Sequence, residues 1–288
     1  MKAIVAVPGS KNTVRLQEVE KPIRESDQAL LKVIRVGVDG TDIEINSGAY
    51  GETPVGSNYL ILGHECLAIV EETSEKTSKI RKGDLVVPTV RRPDDCANCL
   101  ADESDMCLTG NYKEHGIKGL HGFAAEYAVT DANFLVKIPQ ELEHVGVLLE
   151  PISIAEKAVL QTYRIQERML WKPKRALVLG VGPLGLIATY LLRLKGLQVF
   201  SVARRSRESL KAKLVERAGA IYVNSKEQSL ESLGKFDIVL EITGAPSLAM
   251  EGQELLNPNG VMCMIGIYTS KEISKDIGQL YTSLVLGN

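Results

Sequence analysis

The hexapeptide Gly180-Val181-Gly182-Pro183-Leu184-Gly185 reads G-x-G-x-x-G and stands between the apolar run ALVLG at 176–180 and a helical stretch reaching about Lys195. No other feature constrains the second half of the chain so tightly. In such a turn the first glycine permits the sharp exit from a strand, the second lets backbone approach a pyrophosphate, and the third lets helix and strand pack closely. The phosphates then lie at the helix N-terminus. Downstream, apolar runs alternate with helical stretches: QVFSVA at 198–203, a helix near 206–218, AIYVN at 220–224, DIVLEIT at 237–243 and GVMCMIG at 260–266. That alternation predicts a parallel sheet covered on both faces. It supplies five strands where a doubly wound dinucleotide sheet has six, and the sixth is expected at the terminal LYTSLVLGN.

Where the second strand ends, an acidic residue would hold the ribose 2′-hydroxyl of NAD. This sequence has Ala203-Arg204-Arg205 there. Guanidinium groups make charge-assisted, often bidentate bonds to phosphate, so the pair favours NADP, with NAD also open. The alternative is a solvated pair of loop charges. Thr243, closing DIVLEIT, joins Gly180, Gly182, Pro183, Leu184, Gly185, Ala203, Arg204 and Arg205 as a cofactor contact.

The first half is different in texture. Short β-rich runs at 2–7, 29–36, 65–71, 84–90, 124–129 and 134–138 are separated by turn signals, which predicts an irregular β domain. From Pro151 the apolar spacing turns helical over PISIAEKAVLQTYRIQERML, with Pro151 suited to the first turn, and WKPKR then breaks it. The linker is expected at 172–175 and the domain boundary at 165/166, giving domains 1–165 and 166–288.

With 34 Lys+Arg against 36 Asp+Glu the net charge is −2, and no long basic block points to nucleic acid or an anionic membrane. A chain 44% hydrophobic and 24% charged has the composition of a folded globular protein. The uncharged stretch 176–192 is too short and too rich in glycine for a membrane span, and MKAIVAVPGSKNTV reads as a first strand rather than a secretory signal. Five cysteines, an odd number, make no disulfide framework, so a reducing cytoplasm fits and metal becomes the question.

Gly63-His64-Glu65, just ahead of CLAIV, puts an imidazole and a carboxylate at the mouth of the β domain. Alone, His64 reads as a hydrogen-bonded structural histidine. Two other segments, Gly37 to Asp42 and Leu149-Glu150-Pro151, could bring Asp39, His64 and Glu150 together with Glu65 nearby. One histidine with carboxylates and an open position suits a catalytic Zn²⁺. Separately, Cys96-x2-Cys99-x7-Cys107 has the spacing of a structural zinc site. Its fourth ligand is left open: Asp94 and Asp95 are nearest, and Asp102 and Asp105 also qualify. Competing readings are free thiols and a CxxC redox pair, the latter without the surrounding βαβ pattern. Cys66 and Cys263 lie in apolar strands and read as core.

Taken together, these residues resemble the zinc-dependent medium-chain dehydrogenase/reductase superfamily, and within it the glucose (aldose) 1-dehydrogenase branch known mainly from archaea. The branch-like stretches are VGVDGTD at 36–42, VPTVRR at 87–92, EHGIKGLHGFAAEYAV at 114–129 and LEPISIAEKAV at 149–159. The fold implied is α/β: an N-terminal GroES-like β-rich catalytic domain followed by a Rossmann doubly wound parallel sheet. By resemblance, His64, Glu65 and Glu150 fall on the catalytic-metal positions, Thr41 begins the proton relay and Glu114 contacts the sugar. Asp39 stands where most of the superfamily has a zinc-binding cysteine, which implies weaker, more exchangeable metal.

In the lobe the first of the family's four cysteines is missing, and His115, His121 and His144 are expected to be surface or structural residues. Members of the branch run on past a segment like LVLGN into a last strand, so the chain reads as C-terminally incomplete relative to the family. The activity implied is zinc-dependent oxidation of an aldose such as D-glucose at C1 to the lactone, with hydride passing to NADP or NAD, in a cytoplasmic homo-oligomer when the chain is full-length. A polyol or alcohol dehydrogenase of the same superfamily, or a truncated nucleotide-binding protein without turnover, are the alternatives.

Overall fold

In the computed structural model, residues 1–74 and 79–266 are described, together with Ser274, Gly278 and Thr282. Contacts divide the chain into two units, Met1–Glu150 and Pro151–Asn288. The first is built from β1 (Lys2–Ala6), β2 (Arg15–Glu18), β3 (Gln28–Val36), α1 (Gly40–Asn46), β4 (Leu60–Ile61), β5 (Cys66–Glu72) and β6 (Leu85–Pro88). After these come β7 (Arg91–Arg92), α2 (Ala97–Leu100), β8 (Lys113–His115), β9 (Gly119–Leu120), β10 (Tyr127–Asp131) and β11 (Leu135–Lys137). Three sheets result, ordered β2-β1-β4, β10-β3-β5-β6-β11 and β7-β8-β9.

Alternation decides which face of the large sheet is buried. Ala29 and Leu31 of β3 and Cys66, Ala68 and Val70 of β5 point to one side and close on Phe123 and Val86. Because β3 and β5 are antiparallel with Val36 opposite Cys66, the chain leaving β3 and the chain entering β5 run side by side, and the Gly37 N–H donates to the Glu65 carbonyl at 2.8 Å. That register brings the Asp39 segment and the His64-Glu65 segment to one place.

α3 (Leu149–Gln166) crosses the division between the units; it ends four residues before the predicted end at 170. The second unit continues with β12 (Arg175–Leu179), α4 (Pro183–Leu194), β13 (Gln198–Ala203), α5 (Leu210–Arg217), β14 (Ile221–Asn224), β15 (Phe236–Glu241), α6 (Pro246–Glu254) and β16 (Leu256–Met264). Its described strands are all parallel in the order β14-β13-β12-β15-β16. Ala176 and Val178 of β12 enter the core beneath α4, while Leu177 and Leu179 enter the one on the other face. The order reverses at β12, and in open α/β sheets the ligand crevice lies beyond the strand ends at such a point. The sixth strand expected at LYTSLVLGN falls outside the described residues, Thr282 excepted. Among the described residues no helix is long and apolar enough to cross a membrane.

The predicted linker 172–175 needs correction at its end, since Arg175 is already the first residue of β12. One carboxylate explains why the strand starts there. Asp237 accepts the Lys174 N–H at 2.7 Å, the Arg175 N–H at 3.0 Å and the Asn257 amide at 2.8 Å. Burial alone would raise its pKa, but these bonds and the Arg175 charge bring it below the ordinary 3.8. A depressed carboxylate contributes stability that is present above its unfolded pKa and is lost as pH falls through the folded value. Melting curves from neutral pH down to about pH 3 should therefore fall more steeply for the wild type than for Asp237→Asn, which starts lower; parallel curves would remove Asp237 from the account.

Candidate active site

Asp39 serves first as a helix cap. Its Oδ1 accepts the Thr41 N–H at 2.8 Å and the Asp42 N–H at 3.4 Å, and Asp42 Oδ2 returns a bond from the Asp39 N–H at 3.2 Å. This reciprocal box starts α1 and fixes the direction of the Asp39 carboxylate. The remaining oxygen, Oδ2, accepts the Thr41 hydroxyl at 3.2 Å and faces His64 Nε2 at 3.7 Å. Asp42 Oδ1 accepts the Gly63 N–H at 3.4 Å, which ties α1 to the turn that carries His64. His64 is only 4% exposed, and among the described residues its buried Nδ1 has no hydrogen-bond partner.

Glu65 depends on a missing side chain. A Cβ on Gly37 would sit 1.8 Å from Glu65 Oε2, so glycine at 37 is what leaves room for that carboxylate. Donor atoms of His64, Glu65 and Glu150 lie within 4.8 Å of one another, and so do those of Asp39, Asp42 and His64. Two triads thus share one imidazole. Asp42 was not among the ligands read from the sequence; the D-x-x-D spacing of 39 and 42 was its only signal.

The charges in this cluster do not balance. Burial works to lower the His64 pKa, but Asp39, facing the ring at 3.7 Å, and the charges of Glu150 and Asp42 outweigh it and raise the group to about 9. Burial pushes Glu150 up, the negative charges of Glu65, Asp39 and Glu114 push the same way against the pull of His64, and the group reaches about 7. Burial likewise raises Glu65 and Asp42. Four carboxylates converge on one imidazole with an unpartnered buried nitrogen. A cation bound by nitrogen and oxygen donors, as Zn²⁺ is, answers both features.

In the cysteine loop the donor atoms of Asp94, Cys96, Cys99 and Cys107 also lie within 4.8 Å of one another. Cys96 Sγ is 3.9 Å from Cys107 Sγ, and Cys107 Sγ is 3.5 Å from Asp94 Oδ2. A tetrahedron with metal–sulfur bonds near 2.3 Å has edges of about 3.8 Å, so the spacing fits zinc. Of the four acidic residues left open by the sequence, only Asp94 is in this group. Its carboxylate accepts the Thr109 hydroxyl and, at 3.0 Å, the Cys96 N–H, and these bonds hold its pKa well below the ordinary range. The Thr109 hydroxyl likewise brings the Cys107 thiol down to about 7, whereas burial pushes Cys99 up to about 12. All five cysteines are free thiols.

Glu114 is buried on β8, held by Arg91. His115 is buried between the His121 carbonyl and the Thr130 hydroxyl, and His121 Nδ1 accepts the Ile61 N–H at 3.1 Å. His144 is exposed.

In the second unit the glycine turn is shaped by close approach. Gly180 has φ +110°, and a Cβ on Gly185 would lie 2.0 Å from the Gly180 carbonyl oxygen. Gly182 caps α4 with no side-chain bond, Pro183 follows in the first turn beside Leu184, and nothing lies within 4 Å of where a Gly182 Cβ would be. The turn is therefore an open cradle at a helix N-terminus. Ala203 ends β13, and Arg204 and Arg205 after it are exposed; the Tyr222 hydroxyl donates to the Arg205 carbonyl at 2.6 Å. Thr243 lies against Gly180, its N–H donating at 2.7 Å to Glu241, a fully buried carboxylate that the pattern DIVLEIT marks only as part of a strand.

Comparison with known proteins matches residues 25–140 to the alcohol dehydrogenase GroES-like domain and residues 143–288 to the glucose dehydrogenase C-terminus. Glucose 1-dehydrogenase 1 of Caldivirga maquilingensis is 49% identical over 100% of this chain and 81% of its own length. The chain belongs to the glucose dehydrogenase family. The glucose 1-dehydrogenase of Thermoproteus tenax is also 49% identical, over 100% of this chain and 82% of that protein. A solved member of the glucose dehydrogenase family, the Haloferax mediterranei enzyme in complex with NADP, Zn and gluconolactone, matches with a TM-score of 0.91 at 35% identity, covering 100% of this chain and 82% of that one. The α/β fold with a GroES-like domain and a Rossmann sheet is thus the family's own.

Proposed function

We propose that this glucose dehydrogenase family member oxidises an aldose such as D-glucose at C1 to the lactone and passes hydride to NADP, with NAD as a weaker acceptor. The observation that carries this reading is the pair of donor triads sharing His64, in which four carboxylates against one imidazole call for a cation. Asp39, His64, Glu65 and Glu150 would hold the catalytic Zn²⁺, and Asp94, Cys96, Cys99 and Cys107 a structural one. Bound there, the catalytic ion supplies Lewis acidity that lowers the pKa of a substrate hydroxyl.

The remaining work belongs to the chain. Thr41 Oγ1, 3.2 Å from Asp39 Oδ2, is the hydroxyl through which the C1–OH proton leaves. Glu114 accepts a hydrogen bond from a sugar hydroxyl. Gly180, Gly182, Pro183, Leu184 and Gly185 line the place for the pyrophosphate, with Ala203 and Thr243 beside it, and Arg204 and Arg205 pair with the 2′-phosphate. Five free thiols suit a reducing cytoplasm, and a homo-oligomer is the assembly we propose.

The test follows NADPH formation by the zinc-loaded protein with D-glucose and with a polyol panel. Turnover of aldoses is expected, and Arg204→Ala should raise the NADP KM about tenfold, the loss of one charge-assisted bond, while moving the NAD KM by less than about twofold. Equal shifts for both cofactors would remove the 2′-phosphate contact. Turnover of polyols alone would remove the sugar.

A further inference from the structure

We propose that Arg91 is a positioning residue for the sugar site, locking the Glu114 carboxylate in one orientation and tying it to the cysteine loop. The inference rests on the reading of Glu114 as a sugar contact. Arg91 and Glu114 are cross-strand partners of the antiparallel pair β7 and β8, so their side chains leave the same face of the small sheet. Arg91 Nε and Nη2 both donate to the same oxygen, Glu114 Oε1, at 3.0 and 2.8 Å. Among the described residues no donor is bonded to Oε2. The third arm of the fork, Nη1, donates to the Ser104 carbonyl at 3.1 Å, and Ser104 lies between Cys99 and Cys107.

Two features separate this pair from an ordinary surface ion pair, which contributes little. The side chains are only 27% and 11% exposed, and the guanidinium is stacked 3.7 Å above the ring of Tyr112, whose place is shared by Lys118 with its Nζ 4.8 Å from the same ring. Lys118 also donates to the Gly110 carbonyl at 2.6 Å, which closes the far end of the loop. Arginine presents its donors in a rigid planar fork that also stacks on an aromatic face, so lysine is not an equivalent.

The experiment compares zinc-loaded wild type with Arg91→Gln, Arg91→Lys, Glu114→Ala, Glu114→Gln and Arg91→Gln/Glu114→Gln. It reads kcat and KM for D-glucose, KM for NADP, calorimetric Kd for D-glucose and melting temperature. Arg91→Gln should raise the D-glucose KM and Kd about tenfold with kcat within about threefold and the NADP KM unmoved, and Arg91→Lys should recover only part of the loss. Because Arg91 acts through Glu114, the double variant should bind D-glucose no worse than Glu114→Gln alone.

A change in melting temperature without a change in D-glucose KM would overturn the proposal, as would additive losses in the double variant. If Arg91→Gln does not fold, Arg91→Lys decides by the same readouts. Glu114→Ala keeps the two readings apart. A raised D-glucose KM there with Arg91→Gln at wild-type values sinks the inference alone, whereas a wild-type KM in Glu114→Ala, or a wild type that neither binds nor turns over D-glucose, sinks the reading beneath it as well.

Discussion

Asp39→Asn is expected to lose at least about 100-fold in kcat/KM for D-glucose, as removal of a metal ligand would, while melting within about 2 °C of the wild type. The two halves of that result come from the two oxygens of one side chain. Oδ1 caps α1 by accepting the Thr41 and Asp42 N–H groups, a task asparagine performs as well as aspartate. Oδ2 faces His64 Nε2 at 3.7 Å, and this partner does most to hold the imidazole pKa near 9 against burial. An amide keeps the cap and removes the charge. Zinc content after gel filtration, with a graded chelator competition, should show the ion leaving Asp39→Asn at lower chelator than it leaves the wild type. Asp39→Ala should fail on both counts, losing the metal and about 1 kcal/mol of stability with the cap. Wild-type zinc retention and turnover in Asp39→Asn would withdraw Asp39 from the ligand set.

That double role was only half legible in the sequence. VDGTD could be recognised as a place for a ligand, but α1 is seven residues long and carries no extended apolar stripe, so nothing in GTDIEIN separates a helix from a loop. With α1 unseen, only the D-x-x-D spacing points to Asp42, although its carboxylate joins Asp39 at His64 and pins Gly63. The cysteine loop shows the same limit. Spacing gave three thiols, but four acidic residues stood within reach. Asp94 stands apart from the others through bonds from Thr109 and from the Cys96 N–H, contacts that depend on how the loop folds back.

The second unit was more legible because its signals are local and repeated. The central strands of the parallel sheet, β12 and β15, are buried on both faces, so each reads as an apolar run, and the glycine turn marks one strand end directly. What escaped was α6, a helix of nine residues with Gly252 inside it and a weak stripe. Gly252 is there for packing, since a Cβ would press on Leu179 at 2.7 Å. Glu241 also escaped. A carboxylate at the end of an apolar strand looks like the point where the strand meets solvent, yet it is fully buried because it gathers the N–H groups of Thr243 and Gly244 and shapes the loop beside Gly180.

Two glycines of the same turn should fail in opposite ways when replaced by alanine. At Gly185 the new Cβ would stand 2.0 Å from the Gly180 carbonyl oxygen, a backbone atom that cannot rotate aside. Relief requires moving α4 off the end of β12, and α4 is anchored in the core by Ala188 and Leu192. Gly185→Ala is therefore expected to cost about 1–3 kcal/mol of stability by overpacking and to weaken NADP binding as a secondary effect. At Gly182 φ is −78°, open to any residue, and a Cβ meets nothing within 4 Å. Gly182→Ala should melt with the wild type and yet bind NADP about 100-fold more weakly, because its methyl group occupies the approach that a pyrophosphate needs at the helix N-terminus. Thermal melting and NADP titration of the two variants separate the roles. Wild-type NADP affinity in Gly182→Ala would remove the cradle from the cofactor site, and wild-type stability in Gly185→Ala would mean that α4 and β12 do not need the contact their backbones make.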